Sequence, residues 1–155
     1  PLGMNENNMR QVRKGMYSVV NDRRGTGYRS RVIAEGVRMA GKSGTSQVRN
    51  ITAAERARGV SRNEDLPWER RDHALFVAFA PYDKPRYAVS VLVEHGGGGS
   101  TAAAPIARDV ILQAIYGGEP PLEAYPTADR GRIAEQQKAL RAIQPQADFS
   151  GKDQA

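Results

Sequence analysis

The sequence predicts an α+β fold: a three-stranded antiparallel sheet with helices packed on it. Three observations carry this. Apolar residues recur at helical spacing near both ends of the first 116 residues, two almost unbroken apolar runs are joined by a tight turn, and a glycine-punctuated β-type run precedes them. At 155 residues the chain is long enough for one domain with its own core.

The elements follow in chain order. Residues 1–4 (Pro-Leu-Gly-Met) read as the remnant of a purification tag and a start methionine, so the fold is expected from Asn5 onward. From Glu6 to Asn21, the residues Met9, Val12, Met16, Val19 and Val20 form one apolar stripe, with Asn5 or Asn7 placed to cap the helix. Asn21 through Gly25 stop it. Gly25-Thr26-Gly27 does not make a phosphate loop, because Ser30 stands where the third glycine would be needed. A strand is expected over residues 37–48, its glycines at 41 and 44 marking close approach of a backbone or ligand. Residues 50–72 are a charged loop with Pro67 and Trp68, and a helical turn is expected at residues 53–58.

Residues 74–80 and 87–93 are apolar enough to be strands covered on both faces, and Tyr82-Asp83-Lys84-Pro85 turns one into the other as an antiparallel hairpin. Four glycines, Gly96 to Gly99, lead into a second helix with Ser100 or Thr101 as cap and Ile106, Val110, Ile111, Ala114 and Ile115 on one face. Pro105 falls in its first turn, where a missing N–H does least harm. The organisation is therefore a folded unit over residues 5–116 and a tail over 117–155. That tail, rich in Pro, Gln, Ala and charge, is expected to be mobile or loosely docked.

Composition removes several function classes. There are no cysteines, so disulfides and thiolate chemistry are absent. No stretch of eighteen apolar residues occurs, and the mean hydropathy is −0.60. The net charge of +6 is uneven, since residues 1–72 hold fifteen Lys and Arg against eight Asp and Glu, whereas residues 73–155 hold eight against nine. Few aromatics interleave with those arginines, so no nucleic-acid partner is expected. His73 and His95 lie on different elements without an acidic cluster, a poor metal site, and no metal or cofactor is expected.

The chemistry concentrates in Ala40-Gly41-Lys42-Ser43-Gly44-Thr45-Ser46-Gln47-Val48. On a strand, Ser43 and Thr45 share a face, so a carboxylate lying there can accept from two hydroxyls. Lys42 adds positive charge, although strict alternation puts it on the opposite face. Gly44 leaves the strand unobstructed, and the Thr45 backbone N–H is suited to a developing oxyanion.

Together with Ala78-Phe79-Ala80-Pro81-Tyr82 and the order helix, strand, charged loop, hairpin and glycine-led helix, this segment resembles the C-terminal part of the transpeptidase domain of class B penicillin-binding proteins. Within that class it resembles the elongation-type branch. The resemblance runs from about Met9 to Tyr116. It implies the penicillin-binding and serine β-lactamase fold, with Lys42 supporting the electrostatics of the site. Ser43 and Thr45 would hold the carboxylate of a stem peptide or β-lactam, the Thr45 N–H would form half of an oxyanion hole, and Lys42, Ser43, Gly44 and Thr45 would form the catalytic strand.

The resemblance is incomplete in an informative way. No serine here is followed three residues later by lysine, so the family's nucleophile and base are missing. Ser61-Arg62-Asn63 spells its second motif, but on the wrong side of the Lys-Ser-Gly-Thr strand. Acyl transfer needs an activated nucleophile, so this chain alone is expected to be inactive. The resemblance further implies peptidoglycan stem peptides and β-lactams as ligands, the glycosyltransferase of the elongation machinery as partner, and the periplasmic face of the bacterial inner membrane as location. It also leaves strand 87–93 without its usual neighbour, from which a dimer or strand swap through the exposed edge is expected. A division-type transpeptidase, a serine β-lactamase relative and a non-catalytic anion-binding or partner-binding module are the competing readings.

Overall fold

In the computed structural model, which describes residues 3–143, the first element is helix α1, Glu6–Asn21. Asn5 caps it, its Oδ1 accepting from the Asn7 N–H at 2.9 Å. Strands β1 (Ala40–Ser46), β2 (His73–Ala80) and β3 (Tyr87–Val93) follow, with the short helix α2 (Ala53–Arg58) between the first two. Helix α3 spans Ala104–Tyr116 and helix α4 spans Arg130–Ile143. The strands form one antiparallel sheet in the order β1-β2-β3, as the sequence predicts.

The first strand is shorter than expected, because its flanking backbone groups are engaged elsewhere. The Arg38 carbonyl accepts from the Tyr82 N–H at 2.8 Å, and the Met39 carbonyl from the Asn21 side chain at 2.9 Å. At the other end the Val48 N–H turns to Asp72. Neither end is free to extend the ladder.

Pairing fixes the faces. Ser43 stands opposite Phe76 and Thr45 opposite Ala74, whereas Lys42 stands opposite Val77. Phe76, Ala74, Ala78 and Ala80 are buried, and they meet Ala103, Ala104, Ala107, Ile111 and Leu112 of the α3 segment. Alanine on both surfaces lets the helix backbone come close to the sheet. Helix α1 packs mainly against β1 and contributes Val20 to the same core.

The hairpin strands are covered on one face and not on two. Val77 is 44% and Leu92 56% exposed, and the side chains of β3 alternate between half-buried and exposed. Among the described residues, α3 covers the Phe76 face, and α1 reaches the opposite face only at its edge, where Arg13 lies over the Phe79 ring and Met16 stands beside Val77 and Phe79. The unbroken apolar run of β2 and β3 therefore leaves one open apolar face.

The glycine run is a built part of the fold. A side chain on Gly99 would overlap the Gly44 backbone and the Leu75 carbonyl, so this loop presses directly onto the β1–β2 pair. The expected Ser100 or Thr101 cap is not formed. A wide turn over Gly99–Ala103 runs straight into α3, and the Thr101 hydroxyl donates back to the Gly98 carbonyl at 3.0 Å.

Residues 117–143 do not hang loosely. Ile133 is buried, Gln137 donates to the Pro120 carbonyl at 2.8 Å, and Arg141 makes a two-pronged ion pair with Glu119, both bonds 2.7 Å. The backbone N–H of Ile33 donates to the Ala124 carbonyl at 3.0 Å, tying this segment to the N-terminal part. Composition hid this docking because Ile133 is the one buried apolar residue of α4 while Leu140 and Ile143 are exposed, and the rest of the attachment is made by polar contacts. The remainder of the expected tail, 144–155, lies outside the described residues.

Candidate functional site

Helix α1 ends at Asn21, and the chain turns back over Gly25 and Gly27 because both are pinned against the end of that helix. A Cβ on Gly25 would strike the Ser18 and Val19 carbonyls, and the Gly27 N–H donates to the Val19 carbonyl at 2.9 Å. This turn brings Thr26 to the sheet. Its Oγ1 lies 2.9 Å from the Ser43 Oγ, and either hydroxyl can be the donor. Thr26 was not singled out from sequence. The cue was the small Gly-Thr-Gly cluster, which fails as a phosphate loop yet still delivers a hydroxyl.

Lys42, expected on the opposite face from Ser43, does stand beside Val77 on the open face. Its flexible stem brings the ammonium back toward the strand backbone, where Nζ donates to the Ser43 carbonyl at 2.5 Å. Lys42 and Thr26 also line a shallow groove against Ser18, Asp22 and Arg24, with an internal volume of about 470 Å³. The bond is to the strand backbone, so the Lys42 side chain and the Ser43 hydroxyl stay on opposite faces of β1.

Charge in the groove favours an anion. Lys42 and Arg24 outnumber Asp22, whose carboxyl is held below its ordinary range by hydrogen bonds from the Arg24 backbone N–H and then its side chain. Ser43 is half-buried and Thr45 exposed, so neither hydroxyl is lost to the interior, and both remain on one strand. Gly41 and Gly44 differ in kind. A side chain on Gly41 would overlap the Phe76 ring, which is a packing requirement. A Cβ on Gly44 would meet Leu75 at an ordinary 3.4 Å, so its own side-chain space does not demand glycine.

The histidines pair with each other. The backbone N–H of His95 donates to His73 Nδ1 at 2.9 Å, His95 Nδ1 lies 2.9 Å from the Arg71 carbonyl, and Trp68 packs on the His95 ring with centroids 4.3 Å apart. They bolt the two ends of the hairpin together. Among the described residues there is no group of three His, Asp or Glu able to hold a metal. Asn63 of the Ser-Arg-Asn triplet is likewise occupied structurally, its Oδ1 accepting from the Asp72 N–H at 2.9 Å.

This architecture has known counterparts. Residues 2–112 match the family model described as the penicillin binding protein transpeptidase domain. The chain belongs to that family. Among relatives, the peptidoglycan D,D-transpeptidase MrdA of Haemophilus influenzae is 42% identical over 114 residues, which cover 74% of this chain and 17% of that protein. MrdA of Escherichia coli K12 is 36% identical over 68% of this chain and 16% of its own length. In structure, the penicillin-binding protein PBP2 of Helicobacter pylori, solved in complex with MreC, is similar with a TM-score of 0.54 and 31% identity, covering 74% of this chain and 18% of that one. PBP2 of Pseudomonas aeruginosa, solved in complex with WCK 5153, gives 0.50 and 33%, covering 79% and 21%. The chain thus spans about a sixth of the length of these MrdA relatives and about a fifth of the two solved chains, and the fold class expected from the sequence is the one found.

Proposed function

We propose that this chain is the C-terminal part of the transpeptidase domain of a peptidoglycan D,D-transpeptidase of the penicillin-binding protein 2 type, and that β1 is the anion-binding wall of its active site. One observation carries this. Ser43 and Thr45 stand accessible on the β1 strand, with Ser43 paired to Thr26 at the rim of a groove where Lys42 and Arg24 outweigh Asp22. In that reading, the carboxylate of a stem peptide or β-lactam accepts from the Ser43 and Thr45 hydroxyls. Lys42 supplies the positive field, and the Thr45 N–H faces the oxyanion of the acyl transfer. Gly44 keeps the strand surface clear for a substrate lying along it.

The nucleophilic serine and its lysine belong to a preceding part of the domain, so the chain alone binds at most weakly and does not react. By the same reading, the whole protein works at the periplasmic face of the bacterial inner membrane beside the glycosyltransferase of the elongation machinery.

Fluorescent penicillin labelling tests the assignment. A longer protein carrying the upstream part of the domain is expected to label, and Thr45→Ala or Lys42→Ala within it to slow acylation by roughly a hundredfold, the scale of a lost charge-assisted hydrogen bond or charge contact. Unchanged acylation rates in both variants would remove the assignment of β1.

A further inference from the structure

The side chain of Arg108 is among the most completely enclosed in the molecule, 1% exposed on the inner face of α3. Its Nε donates to Asp109 at 2.8 Å, its Nη1 to Asp129 at 3.0 Å, and its guanidinium lies 4.8 Å from the centre of the Tyr125 ring. Nη2 has no hydrogen-bond partner among the described residues. A buried guanidinium that leaves donors unmet costs free energy unless something accepts from it.

Arg108 lines a cavity of about 170 Å³ whose other walls include Arg29, Ser30, Ser100, Thr101 and Arg132. Three arginines face it against a single carboxylate, that of Asp129, and even with Asp109 behind the guanidinium the surroundings stay positive. Ser100 and Thr101 belong to the turn that opens α3, where the helix end adds partial positive charge. The lining residues come from three separate segments: the turn at Arg29 and Ser30, the entry to α3, and the start of α4.

We propose that this cavity is a binding site for a small tetrahedral oxyanion of the phosphate class. The bound anion accepts from Arg108 Nη2 and from the two rim arginines, and it clamps α4 to the body of the domain. The site is separate from the Lys42–Thr45 strand, and the proposal does not depend on the transpeptidase reading.

Isothermal titration of the full 155-residue chain with inorganic phosphate, against chloride at matched ionic strength, tests this. Saturable one-to-one binding is expected, and Arg29→Gln and Arg132→Gln should each weaken it roughly tenfold, the loss of one charge-assisted hydrogen bond. Both positions are solvent-exposed, so neither change threatens folding. Arg10→Gln, exposed on α1 and outside the cavity, should bind phosphate like the parent chain. A parallel titration with glycerol 3-phosphate separates the sources: binding of both marks a site for phosphate monoesters, binding of inorganic phosphate alone a site for the free ion. Absence of saturable binding, an effect that chloride reproduces, or affinity unchanged in both rim variants would overturn the proposal and leave Arg108 bonded to water.

Discussion

Ser43 is the residue on which most depends, because its hydroxyl belongs at once to the strand and to the Thr26 turn. Replacing Thr26 with valine keeps the shape and removes the hydroxyl that orients Ser43. In a longer protein with the nucleophile present, penicillin acylation should slow less than in Thr45→Ala, with folding unaffected as judged by circular dichroism. Phe76 is the structural counterpart. Fully buried at the centre of the sheet and against Gly41, it should cost about 3–5 kcal/mol on replacement by alanine, read from a urea midpoint. Tyr125 gives a spectroscopic marker, since burial pushes its phenol up to about 12. The contribution of the neutral phenol is therefore fully present below pH 10 and is lost as pH climbs toward 12. An ultraviolet titration should find one tyrosine ionising late, together with loosening of its surroundings.

Among the elements, β3 and α4 behave oppositely to what their composition suggests. β3 is apolar but forms the outer strand, with no partner on its far side among the described residues. We expect it to be covered by a second copy through that edge. Light scattering at increasing concentration should find a dimer, with slow amide exchange along residues 87–93; a monomer with fast exchange there would refute it. α4 is polar yet docked. Its tie through Arg141 holds the Glu119 carboxyl below the ordinary glutamate range, so this contribution is present above that range and disappears as acid protonates Glu119. Exchange of amides in residues 130–143 should therefore quicken on acidification, and Arg141→Gln should show the quickened rates already at neutral pH.

These two elements also mark what was legible. The pleat, the hairpin and the helical stripes were readable because local periodicity and turn residues fix them. Which face of β2 is covered was not, since its residues read as apolar on both faces and only the packing of α3 on the Phe76 side decides it. Thr26 beside Ser43 was invisible for a similar reason: seventeen positions separate them, and only the folded turn brings them together.

At the scale of the whole molecule, the open sheet face and the positive groove mark this chain as one side of a larger arrangement. It should bind an apolar dye such as anilinonaphthalene sulfonate although its near-ultraviolet circular dichroism reports fixed packing, a combination that distinguishes an uncovered face from a molten state. Fluorescent penicillin should leave it unlabelled, because no serine in the sequence is followed three residues later by a lysine.

The bond from Ile33 to the Ala124 carbonyl sets a condition on the order of events in the cell. A nascent polypeptide emerges from the ribosome or an export channel with its amino end first. Val32, at the heart of the core, must therefore wait for the stretch around Ala124 and Ile133 to arrive before the interior can close. Until then the apolar surface around Val32 stays uncovered in the growing chain.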